Sequence, residues 1–382
     1  MSIAQIVAKF SEVTADPYGA LVKWKQQSGK KVIGCFPMHI PEEIVHAAGA
    51  LPVVMWEGNE PVTLGYAHIA PYNCGIIKSV IDDAVRGKLN FLDGMICYDT
   101  CLQAKVLLFV FRKHTKIAYL ERFYLPGVIT NKSAKSYMVE SLTRLKASLE
   151  KFTGREINND KLNQSIRIYN ENRDMLRKLY DFRRKNPGLL AAKDIVDIVH
   201  SSMLMLKEDH NKLMRELLQE LEKAQATTSN NKAKIILSGS LCMAPHSDIL
   251  DLIEEAGMTV VDDDLYTGSR YFANNVKVGD RPLEALADRY LTRTPPCATK
   301  IDSEMDWSDY LIEMVNKAGA KGVISFVIKY CPPHVAYYPD IAKKLGDTGI
   351  ATLMIEAEHE VVSLAQVKTR FEAFKESIEE AL

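Results

Sequence analysis

The segment GVISFVIKYCPPHVAYYPDI, Gly322 to Ile341, contains a β-branched apolar run, Val323–Ile328, that reads as a buried strand. The strand runs out at Cys331, and Pro332 and Pro333 follow it, neither able to donate a backbone hydrogen bond. A thiol therefore sits at the C-terminal mouth of a strand. Two prolines stiffen the exit and hold it in place.

Outward from this segment the chain alternates. Before it, DWSDYLIEMVNKAG reads as a helix, and after it ATLMIEAE reads as a strand and SLAQVKTRFEAFKESIEEAL as an amphipathic helix. Further upstream KIILSGSL and TVVDDD read as strands on either side of the helix SDILDLIEEAG. The same rhythm occupies the beginning of the chain. A helix-like stretch from Ile3 to Gly29 precedes the strand KKVIGCF and the helix PEEIVHAAGA, with Pro41 near its first position. LPVVMW, DGMICY and KIAYLERFYLP read as further strands, with helix-like CGIIKSVIDDAVRGK and DTCLQAKVLLFVF between them. Strands alternating with helices imply parallel sheets covered on both faces. From Ser133 to Glu222 strands disappear and charged amphipathic runs take over, and AQATTSNNKAK then reads as a polar linker. The expected fold is α/β, with two open parallel-sheet domains of the Rossmann or flavodoxin type. They span residues 1–132 and 232–382, and a helical section at 133–231 joins them.

Composition removes several classes of function. Across 382 residues, 48 basic side chains face 49 acidic ones, and no stretch concentrates positive charge as a nucleic-acid surface would. No apolar run is long enough to span a bilayer, and Met1–Phe10 lacks the features of a signal peptide. The expected compartment is the cytoplasm, where thiols stay reduced, so the seven cysteines call for another role than disulfides. Each on its own is readily a small buried hydrophobe.

Open parallel sheets place ligands beyond the carboxyl ends of their strands. Cys101, Cys242 and Cys331 follow strands there, and Cys74 precedes a helix, where free N–H groups and the helix dipole favour a thiolate. Thiolates suit soft metals and iron–sulfur clusters. The spacing matches no compact zinc or ferredoxin pattern, and no nucleophile elbow, P-loop or G-x-G-x-x-G occurs. SGSLC can cradle an anion or be an ordinary turn. Asp262–Asp264 can bind a divalent cation, but a polar loop entry is the simpler reading. His39, His246 and His334 are expected in loops near the mouth of the site, and Cys297, in RTPPCATK, in an exposed loop that no strand delivers.

Taken together, these segments resemble the 2-hydroxyacyl-CoA dehydratases and benzoyl-CoA reductases across nearly the whole chain. The resemblance is carried by KKVIGCFPMHIPEEIVHAAGALPVVMW, YNCGIIKSVIDDAVRGKLNFLDGMICYDTC, REINNDKLNQSIRIYNENR, VVDDDLYTGSRYF and GVISFVIKYCPPHVAYYPDIAKKL. It implies that three cysteines, Cys74, Cys101 and Cys331, hold one [4Fe–4S] cluster in the cleft between the two domains, with one iron lacking a cysteine ligand. It also implies a heterodimer with a homologous second subunit, and a separate ATP-hydrolysing iron–sulfur activator that delivers single electrons. The reaction implied is reduction of an acyl-CoA thioester to a ketyl radical anion, which leads to loss of a 2-hydroxyl or to ring reduction.

The chain departs from that family where Leu102 follows the second cysteine and Pro332 the third, positions often held by aspartate. Both departures bear on the choice of substrate. Substrate-side candidates are His39, Glu42, Glu43 and Ser240; the glutamates also suit the N-terminus of a helix. Three alternatives stand beside the leading reading. One is an electron-relay subunit whose cluster never meets substrate. Another is a double-cubane [8Fe–9S] protein that uses Cys35, Cys97 and Cys242 as well. The last is a cluster-free two-domain binding protein.

Overall fold

A computed structural model describes residues 1–58, 60–224, 232–240, 247–292, 294–302, 306–357 and 363–380. Cys242, His246 and most of the expected linker lie outside them. Two four-stranded sheets, all parallel, form the frame. In the first, β1 (Val32–Phe36), β2 (Leu51–Val54), β3 (Gly94–Tyr98) and β4 (Tyr119–Phe123) are ordered β2-β1-β3-β4. In the second, β5 (Ala233–Gly239), β6 (Met258–Asp264), β7 (Gly322–Ile328) and β8 (Ala351–Ala357) repeat that order as β6-β5-β7-β8. Each sheet thus has a switch point, between β1 and β3 in one and β5 and β7 in the other. Ligands of open α/β sheets bind at such points.

The strand β7 is buried at every position, as a run that is apolar but for Ser325 requires. It pairs with β5 and β8, and its last residue, Ile328, packs into the core of the first sheet's domain. The second domain therefore presses the end of β7 against the first.

Before and between the strands of the first sheet lie α1 (Ile3–Ala15), α2 (Pro17–Ser28), α3 (Glu42–Ala47), α4 (Gly75–Val85) and α5 (Leu107–His114). The helix-like stretch from Ile3 to Gly29 is two helices, because Asp16 caps the second and Pro17 opens it. The expected helical section is α6 (Ala134–Thr153), α7 (Asn159–Lys185), α8 (Ala192–Ser202) and α9 (Lys207–Lys223). The apolar stripe of α1, Ile6, Val7 and Phe10, is buried against α7, α8 and α9.

Two helices fall in a stretch where the sequence announced none, α11 (Ser269–Phe272) and α12 (Pro282–Leu291), after α10 (Ser247–Glu255) and β6. Leu286, Ala287 and Tyr290 of α12 pack with residues of β1, β3 and α6. The chain therefore leaves the second sheet to cover the first before returning through α13 (Trp307–Ala318), α14 (Pro332–Asp347) and α15 (Leu364–Glu380). Among the described residues no helix is long and apolar enough to cross a membrane.

The prolines after Cys331 now have a clear role. They occupy the first positions of α14, where a missing N–H leaves no bond unmade, and Cys331 is the N-cap residue. The aspartates 262–264 are a correction to the loop expected there. They lie inside β6, buried, and each is paired. Asp262 meets Arg184, Asp263 meets Arg183 and Tyr180, and Asp264 meets Arg270 and the indole of Trp307. Burial of three carboxylates is tolerated because each has its own cation.

Candidate functional site

Three loops from two domains bring Cys74, Cys101 and Cys331 to one place. Cys74 is the N-cap of α4, reached by the long connection from β2. Cys101 stands in the bend after β3, ahead of the 3-10 turn Ala104–Val106, and Cys331 follows β7. All three are half-buried and pack against the same apolar cluster, with Ile76, Ala104 and Leu107.

Burial and backbone donors act in opposite directions on all three thiols. Burial pushes Cys74 up to about 12, the N–H of Ile77 works against it, and proximity to Cys101 and Cys331 raises it further. Burial likewise raises Cys331 to about 11, while the N–H of His334 and the hydroxyl of Ser240 favour its thiolate. Cys101 is raised by burial, and the N–H groups of Gln103 and Ala104 oppose this. Each sulfur thus faces backbone donors in the first turn of a helix or 3-10 segment, while burial keeps it protonated until a cation displaces the proton. Among the described residues no three His, Cys, Asp or Glu side chains converge tightly enough for a single metal ion. Three thiols packed on one apolar floor, each with backbone N–H donors toward its sulfur, are the donor chemistry that an iron–sulfur cluster would take.

Beside the cysteines lies an interdomain pocket lined by His39, Tyr266, Arg270, Arg289, Cys297 and Lys300. His39, in the loop after β1, has a left-handed backbone (φ 61°), uncommon for residues other than glycine. Its ring stands edge-on to Tyr98, Tyr266 and Tyr290, with centroids 6.0–6.2 Å away. Burial, reinforced by Lys300, Arg289 and Arg270, lowers its pKa well below the ordinary value and keeps it neutral.

Cys297 corrects the expectation of an exposed loop. Its sulfur accepts a 3.1 Å hydrogen bond from Tyr266 Oη, lies 3.1 Å from Thr299 Oγ1, and is 3.9 Å from His39 Nε2. Burial alone would raise this thiol. Lys300, Thr299 and Tyr266 together outweigh burial and hold it below the usual range. Arg270 Nη1 donates to the carbonyl of Pro296, and Asn274 Nδ2 to that of Thr294 at 2.6 Å, which holds this segment in the cleft. Sequence spacing carried no sign of that.

The remaining candidates occupy distinct places. Glu42 lines a neighbouring part of the cleft with His39 and accepts a 2.9 Å bond from Tyr271 Oη, with Lys207 3.8 Å away. Burial raises its pKa, against the pull of Lys207. Glu43 faces away and is engaged by the guanidinium of Arg173 in a fully buried pair. Ser240, just past β5, accepts the N–H of Ile328 at 2.9 Å and so ties the exit of β7 to the neighbouring strand. His334 lies on the first turn of α14 rather than in a loop. Cys35 and Cys97 are buried within β1 and β3, on opposite faces of the sheet, and burial raises both thiols.

The family model described as 2-hydroxyglutaryl-CoA dehydratase, D-component, matches residues 37–378. The chain is 26% identical to the (R)-phenyllactyl-CoA dehydratase beta subunit of Clostridium sporogenes, over 97% of each chain. It is 27% identical to a benzoyl-CoA reductase subunit of Thauera aromatica, over 99% of each. With the (R)-2-hydroxyglutaryl-CoA dehydratase beta subunit of Acidaminococcus fermentans it shares 29%, over 99% of this chain and all of the relative.

Proposed function

The chain belongs to the 2-hydroxyglutaryl-CoA dehydratase, D-component, family, and from that premise we propose that it is the iron–sulfur subunit of a two-subunit radical enzyme acting on acyl-CoA thioesters. The observation that carries this reading is the meeting of Cys74, Cys101 and Cys331 from two domains on one apolar floor, each with backbone donors facing its sulfur. These three residues hold a [4Fe–4S] cluster, which supplies single low-potential electrons received from an ATP-hydrolysing activator. The partner is a homologous second subunit; the relatives are themselves named as subunits.

The pocket residues define what the protein adds to that electron. A thioester carbonyl reduced to a ketyl radical anion gains negative charge, and Arg289 and Lys300 supply positive charge beside it, Arg270 being held by Asp264. The three tyrosine rings around His39 exclude water from the same space. In dehydration the ketyl would expel the 2-hydroxyl, lose a C3 proton and return its electron, a redox-neutral sum; in benzoyl-CoA reduction a second electron and two protons would enter the ring.

A second reading, in which this subunit relays electrons to its partner, is favoured by one feature. Tyr72, Leu102 and Tyr330, each within two residues of a cysteine of the site, are exposed by 68%, 80% and 42%, a rim suited to apposition against another protein. Both readings require iron. Anaerobic co-purification with the partner, followed by iron analysis and assay with activator, ATP and a panel of 2-hydroxyacyl-CoA and benzoyl-CoA substrates, tests them. About four irons per chain and turnover of one substrate class are expected. A chain purified without iron overturns both.

A further inference from the structure

The three cysteine loops are joined by a single side chain. Gln103, two residues after Cys101, accepts the backbone N–H of Cys74 through Oε1 at 2.9 Å. Its Nε2 donates to the carbonyl of Tyr330 at 2.8 Å and to that of Tyr72 at 3.3 Å. The orientation of the amide follows from the partners. Two carbonyls lie at one end and an N–H at the other, and a flipped amide would set oxygen against oxygen. Both N–H groups and one acceptor site are therefore in use.

The contact with Tyr330 matters most. It crosses from the first domain to the second, and Tyr330 is one of two non-glycine residues with positive φ among the described residues (63°). That backbone is strained, and it sets the direction in which Cys331 leaves β7. A hydrogen bond fixing the Tyr330 carbonyl holds the strained conformer, and with it the third sulfur.

We infer that Gln103 is a positioning residue that locks the Cys74, Cys101 and Cys331 loops into one iron–sulfur site across the two domains. The inference rests on the cluster assignment above and adds a residue to it. Gln103 touches neither iron nor substrate. It sets the geometry in which three thiolates from separate loops are presented together. Loss of two or three such hydrogen bonds is expected to change the persistence of the assembled site by about tenfold or more.

The test compares the anaerobically purified chain with Gln103→Leu, which loses all three bonds, and with near-isosteric Gln103→Glu, which keeps the acceptor for Cys74 N–H and loses both donors. Iron release to a chelator is expected to be about tenfold faster in both variants. The electron paramagnetic resonance lines of the reduced cluster are expected to shift, with thermal unfolding unchanged. Release rates and spectra equal to those of the unmodified chain overturn the inference. So does a general loss of fold in the thermal scan, since the role would then not be specific to the site. If the unmodified chain itself takes up no iron, the cluster assignment falls, and amide exchange decides the clasp separately. Cys74 N–H should exchange faster in Gln103→Leu and stay protected in Gln103→Glu; equal exchange in all three proteins overturns it.

Discussion

His334 Nδ1 lies 3.3 Å from the sulfur of Cys331, one helical turn along α14. Burial, with Arg270 nearby, lowers His334 to about 3, so the ring is neutral at physiological pH. A thiolate bound to iron has no proton to give, so in the tautomer with Nδ1 protonated the ring is the donor in the loaded site. A donor stabilises the more electron-rich, reduced cluster. His334→Leu is therefore expected to keep its iron and to lower the midpoint potential, which a redox titration followed by paramagnetic resonance measures. An unchanged potential would show that the contact is packing alone.

Iron content should follow the three loops. Cys74→Ala, Cys101→Ala and Cys331→Ala each remove one thiolate and are expected to lose most of their iron, whereas Cys297→Ala keeps it. Iron and sulfide analysis distinguishes one cluster of about four irons from a double-cubane with roughly eight. Cys35 and Cys97 lie inside strands, and their replacement by Ala is expected to reduce stability rather than iron content.

The exit of the second sheet is sterically fixed. Gly239 has φ 147°, and a Cβ placed on it would stand 1.9 Å from the carbonyl oxygen of Phe326 on β7. Gly239→Ala must push apart the strands that deliver Ser240 and Cys331. We expect a loss of about 3 kcal/mol or more in denaturant unfolding, within the range of severe steric and backbone lesions. A change below about 1 kcal/mol would mean that the strands yield easily.

Much of this was legible in the sequence. The apolar run of Val323–Ile328, the alternation around it and the charged helices between the sheets gave the architecture, because burial on both faces leaves its mark on every residue of a strand. Cys74, Cys101 and Cys331 came from family resemblance, since their spacing of 27 and 230 residues forms no local motif. The pairing of Asp262–Asp264 was not legible, because their arginines lie on α7 and α11. Neither were Cys297 or Gln103. Both act through contacts more than 25 residues away, to Tyr266 and to Tyr72 and Tyr330, and only the folded chain brings these together.

In a Cys242→Ser background, Cys297 should be the readily alkylated thiol of the iron-loaded chain, because the site cysteines are then masked and Cys35 and Cys97 are buried. Its pKa is held below the ordinary value despite burial, chiefly by Lys300, so thiolate forms at lower pH than in a free cysteine. Lys300→Met removes that cation, and the pH profile of iodoacetamide alkylation is expected to move to higher pH. A profile that stays in place, or moves lower, would assign the effect to other groups.

Whether this chain meets substrate can be decided with the partner's cluster removed by mutation. A catalytic cluster faces a cleft that admits a thioester, and a relay needs only nearness to another cluster. The pocket of His39, Arg270, Arg289 and Lys300 adjoins the cysteine loops, and Thr100 Oγ1 lies 3.3 Å from Thr299 Oγ1 where the two regions join. Acyl-CoA is therefore expected to perturb the paramagnetic resonance spectrum of this subunit's reduced cluster. Ser240 is unsuited to blocking that effect, because it is fully buried and holds the N–H of Ile328, so a bulky replacement would disturb the cluster directly. Ile129 lines the pocket without being fully buried, and Ile129→Trp narrows it while leaving the cysteine loops untouched. In that variant the iron content should hold and the acyl-CoA effect should disappear. If saturating acyl-CoA leaves the spectrum of the unmodified protein unchanged, the cluster does not sense substrate, and the exposed rim of Tyr72, Leu102 and Tyr330 becomes the feature that explains the site: a surface through which electrons pass to the partner.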